Sequence, residues 1–453
     1  MKVTILGTGY VGLTTGVCLA YLGHQVTCLD PVDEKIKLLE RGRIPIFEPG
    51  LEQLLAEAKE NICFTTRYED AVPGAQVIFI AVGTPSQADG SPDLQFLQSA
   101  SAGIGNYLDS EFVVIVNKST VPIGSANWVE SLIQSTLEKR QPAGSGRGFA
   151  IASNPEFLRE GTALFDTLYP DRIVVGADDS RTLEILYTLY RPILDQSFPQ
   201  PSFLPRPESL AAVPIVSTDL ASAELIKYAA NAFLALKISF INEIGSLGER
   251  VGADIREVAR GIGLDQRIGP RFLQAGLGWG GSCFAKDTAA LITTAAEYGL
   301  SMPIVNAARE VNQRQRLRVV EKLLQELKIL KGRNIGLLGL AFKPNTDDLR
   351  DAPAIDIAKR LVQHGCRVRA HDPVGMQRFR KEHPDLTIDL VERPELLFDG
   401  ADAVLLVTDW QVYGELDWFV LKKAMRTPLV IDCRSFLDRK TLAAAGYHLL
   451  SVP

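Results

Sequence analysis

The chain has no run rich in lysine and arginine, no apolar stretch long enough to span a bilayer, and no cysteines at metal-binding or Cys-x-x-Cys spacing. Each absence excludes a class of function. Nucleic acid and anionic membrane surfaces are held by clustered positive charge, whereas the formal net charge here is −6 and the isoelectric point about 5.6. The opening MKVTILGTGYVG lacks the longer apolar core and small-residue cleavage site of a secretory signal. Six scattered cysteines (Cys18, Cys28, Cys63, Cys283, Cys366 and Cys433) fit free thiols in a reducing cytoplasm, and no metal site is expected. What is present is a globular composition, with 46% hydrophobic and 23% charged residues. At 453 residues the chain is too long for one ordinary core, so two or three domains are expected.

Short β-rich runs alternate with helical ones through the first segment, at Lys2 to Gly7, Gln25 to Asp30, Gln76 to Val82, Phe112 to Asn117, Phe149 to Ser153 and Arg172 to Val175. That alternation predicts a parallel sheet covered by helices on both faces. Prolines crowd Pro192 to Pro214, read as an exposed linker, and QPAGSGRG (Gln141 to Gly148) reads as a second loop. From Thr218 the pattern is helical for roughly a hundred residues. It includes an amphipathic run from Pro303 to Leu330, on the order of 40 Å long, which is long enough to connect domains and is a candidate dimer surface. A third segment repeats the first: NIGLLGLAFKP echoes VTILGTGYVG, RVRAHDP echoes QVTCLDP, and strands follow at Ala403 to Thr408 and Leu429 to Asp432. The expected α/β architecture is two Rossmann-like βαβ domains, 1–214 and 316–453, joined by a central helical domain, 215–315, with a long connecting helix.

Gly7, Gly9 and Gly12 form G-x-G-x-x-G between a strand and a helix, and Asp30 closes the next strand. In that context Gly7 permits the tight turn, Gly9 admits a pyrophosphate to the backbone, and Gly12 lets helix and strand pack closely. Asp30 can accept hydrogen bonds from ribose hydroxyls and repels the extra phosphate of NADP, so NAD is expected. In the third segment Gly336, Gly339 and Ala341 replace the glycine pattern, beside Lys343 and Arg350. Cations in place of close-approach glycines suggest a nucleotide diphosphate, although a sheet with solvated charges accounts for them equally.

GLGWGGSCFAKD, Gly276 to Asp287, places Cys283 among glycines with Lys286 and Asp287 nearby. The ammonium favours thiolate and Asp287 opposes it; an inert thiol in a tight turn is the alternative. The other five cysteines read as small core hydrophobes. A nucleophilic thiol in an NAD enzyme captures an aldehyde as a thiohemiacetal, which can be oxidised to a thioester and cleaved by water, so one site takes alcohol to acid. SNPEFLREGT holds Glu156 and Glu160 four apart, on one side if helical, with surface glutamates the commoner explanation. Lys227 and Asn231 share a helix face in an apolar run, and Thr120 of KSTVP follows a strand at the carboxyl edge where open α/β sheets bind ligands.

Together GTGYVG, VGTP, KSTVP, SNPEFLREGTA, ASAELIKYAANAFLALKISFINEI, DQRIGPRFL, GWGGSCFAKD and LAFKPNTDDLRDAP resemble the UDP-glucose/GDP-mannose dehydrogenase family through almost the whole chain, and its UDP-glucose branch most closely. The resemblance implies oxidation of UDP-glucose with two NAD and one water. It makes Cys283 the nucleophile and Lys227 and Asn231 the oxyanion donors. Asp287 and Thr120 would hold a water, and Glu156 would assist proton transfer and hydrolysis. It implies NAD contacts at Gly7, Gly9, Tyr10, Val11, Gly12, Asp30, Lys35, Thr84, Thr120, Glu160, Lys286 and Arg350. Implied substrate contacts are Glu156, Phe157, Leu158, Arg159, Lys227, Asn231, Phe272, Gly280 and Lys343, with Arg267 reaching a neighbouring subunit's substrate in a homodimer or larger homo-oligomer. GDP-mannose oxidation, a single-step hydroxy-acid dehydrogenase and a nucleotide sensor without turnover are the rival readings. The proline-rich stretch and the loop around Gly144 depart from the family pattern.

Overall fold

In the computed structural model, residues 1–85, 87, 90–109, 112–140 and 148–452 are described; most of the QPAGSGRG loop, 141–147, lies outside them. The chain divides into two compact units, residues 1–229 with 289–294, and residues 230–288 with 295–453.

The first unit is built on eight strands: β1 Lys2–Leu6, β2 Gln25–Leu29, β3 Ile62–Thr65, β4 Val77–Ile80, β5 Phe112–Asn117, β6 Gly148–Ser153, β7 Ile173–Ala177 and β8 Ile215–Thr218. They lie in the order β3-β2-β1-β4-β5-β6-β7-β8. Strands such as VIFI and FVVIVN are buried on both faces because alternate side chains enter different cores. Ile5, Phe79, Val114 and Val116 pack with Leu13 and Val17 of the first helix, while Leu6, Ile78, Ile80 and Ile115 pack with Val129 and Ile133. One pairing departs from the parallel expectation: β6 and β7 run antiparallel, with Ala152 opposite Ala177. Strand order reverses between β1 and β4, the position where open α/β sheets leave a crevice at their carboxyl ends. Gly7, Thr84, Lys118 to Thr120 and Glu156 all follow carboxyl ends of β1, β4, β5 and β6.

The second unit contains a six-stranded, wholly parallel sheet: β9 Asn334–Leu338, β10 Arg367–His371, β11 Asp389–Leu390, β12 Ala403–Leu406, β13 Leu429–Asp432 and β14 His448–Ser451. Its order, β11-β10-β9-β12-β13-β14, reproduces the β2-β1-β4 arrangement of the first unit, so the sequence echo is an echo of fold.

Two expectations are corrected. The proline-rich stretch is irregular but not a free linker. Phe198 is buried and stacks on Tyr169 at 6.0 Å, Tyr21 donates to the Pro199 carbonyl at 2.8 Å, and Arg206 donates to the Phe198 carbonyl at 2.8 Å. The long amphipathic helix spans Pro303–Leu327, and its stripe of Val319, Val320, Leu323 and Leu327 is buried against Ile335, Leu337 and Leu361 of its own unit. That stripe is not free for a second copy, although Ile304 and Leu317 of the same helix remain exposed. The exposed apolar stripe lies instead on the helix Leu220–Val251, at Phe233, Phe240, Leu247 and Val251.

Gly12 packs the first helix against the β1 turn so closely that a Cβ there would lie 2.0 Å from the Gly7 carbonyl oxygen. Gly12→Ala is expected to lower stability by about 1–3 kcal/mol, by urea unfolding, and to weaken NAD binding as the helix is displaced. Unaltered unfolding and NAD titrations would show that the packing is not needed.

Candidate active site

In the first unit the turn after β1 opens the helix Tyr10–Tyr21, with Tyr10 and Val11 in its first turn. That turn carries no acidic side chain, and Gly9 at its cap has only open space around a hypothetical Cβ. An anion is therefore favoured where the family places pyrophosphate. Asp30 is buried. Its Oδ2 accepts from Thr8 N at 3.0 Å, Thr8 Oγ1 at 2.8 Å and Lys35 Nζ at 3.1 Å, and its Oδ1 from Val32 N at 3.1 Å. Burial raises the carboxyl's pKa, but these bonds outweigh it and hold the group below its usual range. Oδ1 keeps acceptor capacity for a ribose hydroxyl. Thr84 donates to the Thr120 carbonyl at 2.8 Å and Ser119 to the Val82 carbonyl at 2.7 Å, tying the VGTP and KSTVP loops together. These residues fit NAD.

SNPEFLREGT is not helical, so Glu156 and Glu160 do not form a helix-face pair. Glu156 is buried and meets Lys227, also buried, at 2.9 Å; its other oxygen accepts from Leu158 N at 2.6 Å. Burial would raise the Glu156 carboxyl, and the neighbouring Lys227 ammonium overrides that effect and holds it low. The Phe157 ring lies beneath the Arg172 guanidinium at 3.5 Å and 5.4 Å from Lys227 Nζ. Arg159 is held by Asp166 at 2.5 Å, while Glu160 is half-buried. Glu48, which the sequence gave no reason to select, accepts from Gly161, Ala163 and Leu164 amides and fixes the end of this segment.

In the second unit Cys283 is the second residue of the helix Ser282–Glu297, not simply a loop residue. A helix amino terminus favours thiolate. The thiol is half-buried with Ser282 Oγ at 3.6 Å. One turn along the same face, Asp287 has no exposed surface; Asn231 Nδ2 donates to its Oδ2 at 2.5 Å and Lys286 Nζ to its Oδ1 at 2.7 Å. Asn231 itself lies one turn beyond Lys227 on the continuous helix Leu220–Val251. The glycine loop before Cys283 is held by buried amides: Asn242 accepts from Gly276 N at 2.8 Å, Asn312 from Trp279 N at 2.7 Å, and Gln315 donates to the Gly276 carbonyl at 2.8 Å. Phe272, at φ +65°, faces Phe284 at 6.4 Å between centroids.

The loop after β9 supplies the remaining residues of this unit. Gly280 leaves no room for a Cβ, which would meet the Asp351 carbonyl oxygen at 2.5 Å, and Gly281 N donates to the Arg350 carbonyl at 3.0 Å. The Arg350 side chain is gripped by buried Asp348 at 2.8 and 2.9 Å. Lys343 is half-buried, with its ammonium 5.5 Å from the Phe342 ring centre. Arg434, missed in the sequence, joins three segments by donating to carbonyls of Val407 (2.7 Å), Gly278 (3.3 Å) and Phe342 (3.0 Å). Only its position just past a strand end hints at this. Asp372, the counterpart of Asp30, is wholly buried and accepts from the amides of Leu340, Ala341, Val374 and Gly375 and from the Trp410 indole. Arg267 is exposed and pairs with Asp265 at 2.6 Å. Cys63 corrects the core reading for cysteine: it is exposed on β3, whereas Cys18, Cys28, Cys366 and Cys433 are buried. Among the described residues no His/Cys/Asp/Glu cluster could hold a metal, and no helix is long and apolar enough to cross a membrane.

Because the folded Glu156 carboxyl lies below its ordinary value of 4.5, its pairing stabilises the protein above that pH and the contribution is lost as pH falls through the folded value. Glu156→Gln is expected to flatten the decline of thermal midpoint on acidification below about pH 4.5. An acid limb identical to that of the parent would mean the pair contributes nothing.

Models of the UDP-glucose/GDP-mannose dehydrogenase family match the chain in three parts: the NAD binding domain over residues 1–194, the central domain over 221–314 and the UDP binding domain over 336–439. A UDP-glucose 6-dehydrogenase of Rhizobium meliloti is 44% identical over 459 residues, covering 100% of this chain and 99% of its own. The UDP-glucose 6-dehydrogenase TuaD of Bacillus subtilis is 42% identical, covering 100% and 93%. The structure of a UDP-glucose dehydrogenase from the archaeon Pyrobaculum islandicum aligns with a TM-score of 0.87 at 38% identity, covering 100% of this chain and 97% of that one. On its sequence motifs, its paired sheets and these full-length likenesses, the chain belongs to the UDP-glucose/GDP-mannose dehydrogenase family.

Proposed function

We propose that the chain is a UDP-glucose 6-dehydrogenase, oxidising the primary alcohol of UDP-glucose to the carboxylate of UDP-glucuronate. The observation that carries this is Cys283 in the first turn of a helix, one turn from the buried Asp287–Asn231 pair, in a chain that also has an NAD-binding fold. NAD supplies the hydride acceptor for both oxidations. After the first, the Cys283 thiolate adds to the aldehyde carbon, forming a C–S bond and an oxyanion. Loss of the second hydride leaves a thioester; water adds to it, the C–S bond breaks and the thiolate departs.

The side chains have donors for these roles. Asn231 uses one Nδ2 hydrogen on Asp287, which orients the amide and leaves the other for the oxyanion. Lys227 carries three ammonium hydrogens and meets Glu156 at 2.9 Å. Asp287 and Thr120 position the water, and Glu156, held as carboxylate, takes its proton. Phe157, Leu158, Arg159, Phe272, Gly280 and Lys343 are assigned to the sugar nucleotide. Tyr10, Val11, Lys35, Thr84, Glu160, Lys286 and Arg350 are assigned to NAD.

The working form is a homodimer or larger homo-oligomer. Its support is the stripe of Phe233, Phe240, Leu247 and Val251, between 47% and 68% exposed on one helix, which water disfavours and a second copy would cover. Exposed Arg267 reaches the neighbour's substrate. A domain division at 1–214, 215–315 and 316–453 and a cytoplasmic location, consistent with six cysteines that form no disulfide, complete the reading.

Two NADH per UDP-glucose, with glucuronate in the product, are expected from coupled absorbance and product analysis. One NADH per substrate supports a single-step dehydrogenase, and faster turnover of GDP-mannose overturns the substrate assignment. Cys283→Ala is expected to abolish NADH formation while NAD still binds; unchanged turnover rejects covalent catalysis. Lys227→Ala should lower kcat about a hundredfold. A rise in KM alone would make Lys227 a ground-state anchor.

A further inference from the structure

The last residue of β5, Asn117, carries a polar side chain where the strand calls for an apolar one. It falls on the same face as Val113 and Ile115, which pack with Val121, Ala126 and Leu220 in the core on that side of the sheet. Asn117 is 3% exposed, and neither its Nδ2 nor its Oδ1 meets a protein partner among the described residues. The main chain does not need the amide, since the Asn117 carbonyl accepts from Asn154 N at 2.9 Å without it. A side-chain amide buried with neither end bonded is costly, and buried polar groups are met by protein or by ordered water.

The amide borders a cavity of about 10 Å³ whose walls also include Ser119, Thr120, Ser153, Glu224 and Lys227. That volume is the scale of one water molecule, which when buried needs roughly two to four polar partners. The walls supply them. Glu224 is 5% exposed; one carboxylate oxygen accepts from Gly124 N at 2.6 Å, the other from Ala126 N at 3.0 Å and Ser153 Oγ at 3.3 Å. An ionised carboxylate has about four acceptor sites, so these bonds leave one for a further donor. Ser119 gives its hydrogen to the Val82 carbonyl at 2.7 Å and keeps lone pairs. Two walls, Thr120 and Lys227, belong to the chemistry proposed above, and Lys227 meets Glu156 at 2.9 Å.

We propose that this cavity binds one buried water, which accepts from Asn117 Nδ2 and donates to Glu224, and that Asn117 acts through it as a positioning residue for Thr120 and Lys227. The water is a resident of the fold, not the one consumed in thioester hydrolysis. The positioning role rests on the functions given above to Thr120 and Lys227; the water site does not. Without the amide the water loses its donor and Glu224 loses a partner, and Thr120, three residues past Asn117 in the chain, settles into the space.

A crystal structure of the wild-type chain at a resolution that shows ordered water tests the site. A density peak within hydrogen-bond distance of Asn117 and Glu224 is expected; no peak there, or an amide bonded to protein at both ends, overturns the proposal. Asn117→Val and Asn117→Thr then share one shape and differ by a hydroxyl. The Val variant is expected to lose the peak and to lower kcat about tenfold, with KM for UDP-glucose and affinity for NAD held, while the Thr variant keeps the water and most of kcat. Equal kcat in the two variants overturns the positioning role, because hydration then makes no difference to turnover. If Asn117→Val does not fold, Asn117→Leu takes its place in the comparison. Wild-type protein that makes no NADH from UDP-glucose removes the functional reading, while the density still decides the water site.

Discussion

A carboxylate with no exposed surface sits one helical turn past the thiol, and the cysteine helix is tenable only because both of its oxygens are engaged. An unpaired buried charge costs several kcal/mol, about the whole margin of a stable domain. Asn231 and Lys286 remove that cost at Asp287. They also change the electrostatics: the helix terminus favours thiolate, Asp287 opposes it, and the Lys286 ammonium cancels much of the opposition. Because Asn231 is tied to Asp287, the position of the Leu220–Val251 helix sets the geometry around Cys283. Asn242 and Ser239 of that helix, with Asn312 and Gln315 of another, then fix the glycine loop that leads into the thiol.

The first unit solves the same problem with different groups. Glu156 is buried at a loop rather than on a helix, where the Lys227 ammonium and the Leu158 amide meet its two oxygens. Its loop is anchored at the far end by Glu48, which satisfies three backbone amides of the Gly161 to Leu164 turn.

Much of this was legible in the sequence because it depends on local rules. G-x-G-x-x-G followed by Asp30 specifies strand, turn and helix within thirty residues, and Gly339 and Asp372 hold the corresponding places after β9 and β10 with a longer connection between them. Cys283 stood out by its setting. What escaped detection depends on distant partners. The reversal at β7 is set by pairing with β6 and leaves no mark in the run IVVGA itself. The proline-rich stretch reads as solvent-exposed until Phe198 is seen against Tyr169 and Tyr21. Dense glycines before Ser282 hid the start of a helix, and the stripe on Pro303–Leu327 gave no sign that its own chain covers it. The Arg434 side chain donates to three carbonyls, which no sequence motif announces.

The buried Asp372 has a consequence for the internal repeat. Asp30 engages one amide of its glycine turn, at Thr8; Asp372 engages two in succession, at Leu340 and Ala341, and the next helix does not begin until Pro353. In the later copy two loop amides that a phosphate could otherwise use are therefore already taken by a side chain of the same unit. Swapping Ala341 and Pro344 for glycine would not convert it into a second coenzyme cradle while that carboxylate remains, so the two halves of this ancestral-looking symmetry are chemically committed to different guests.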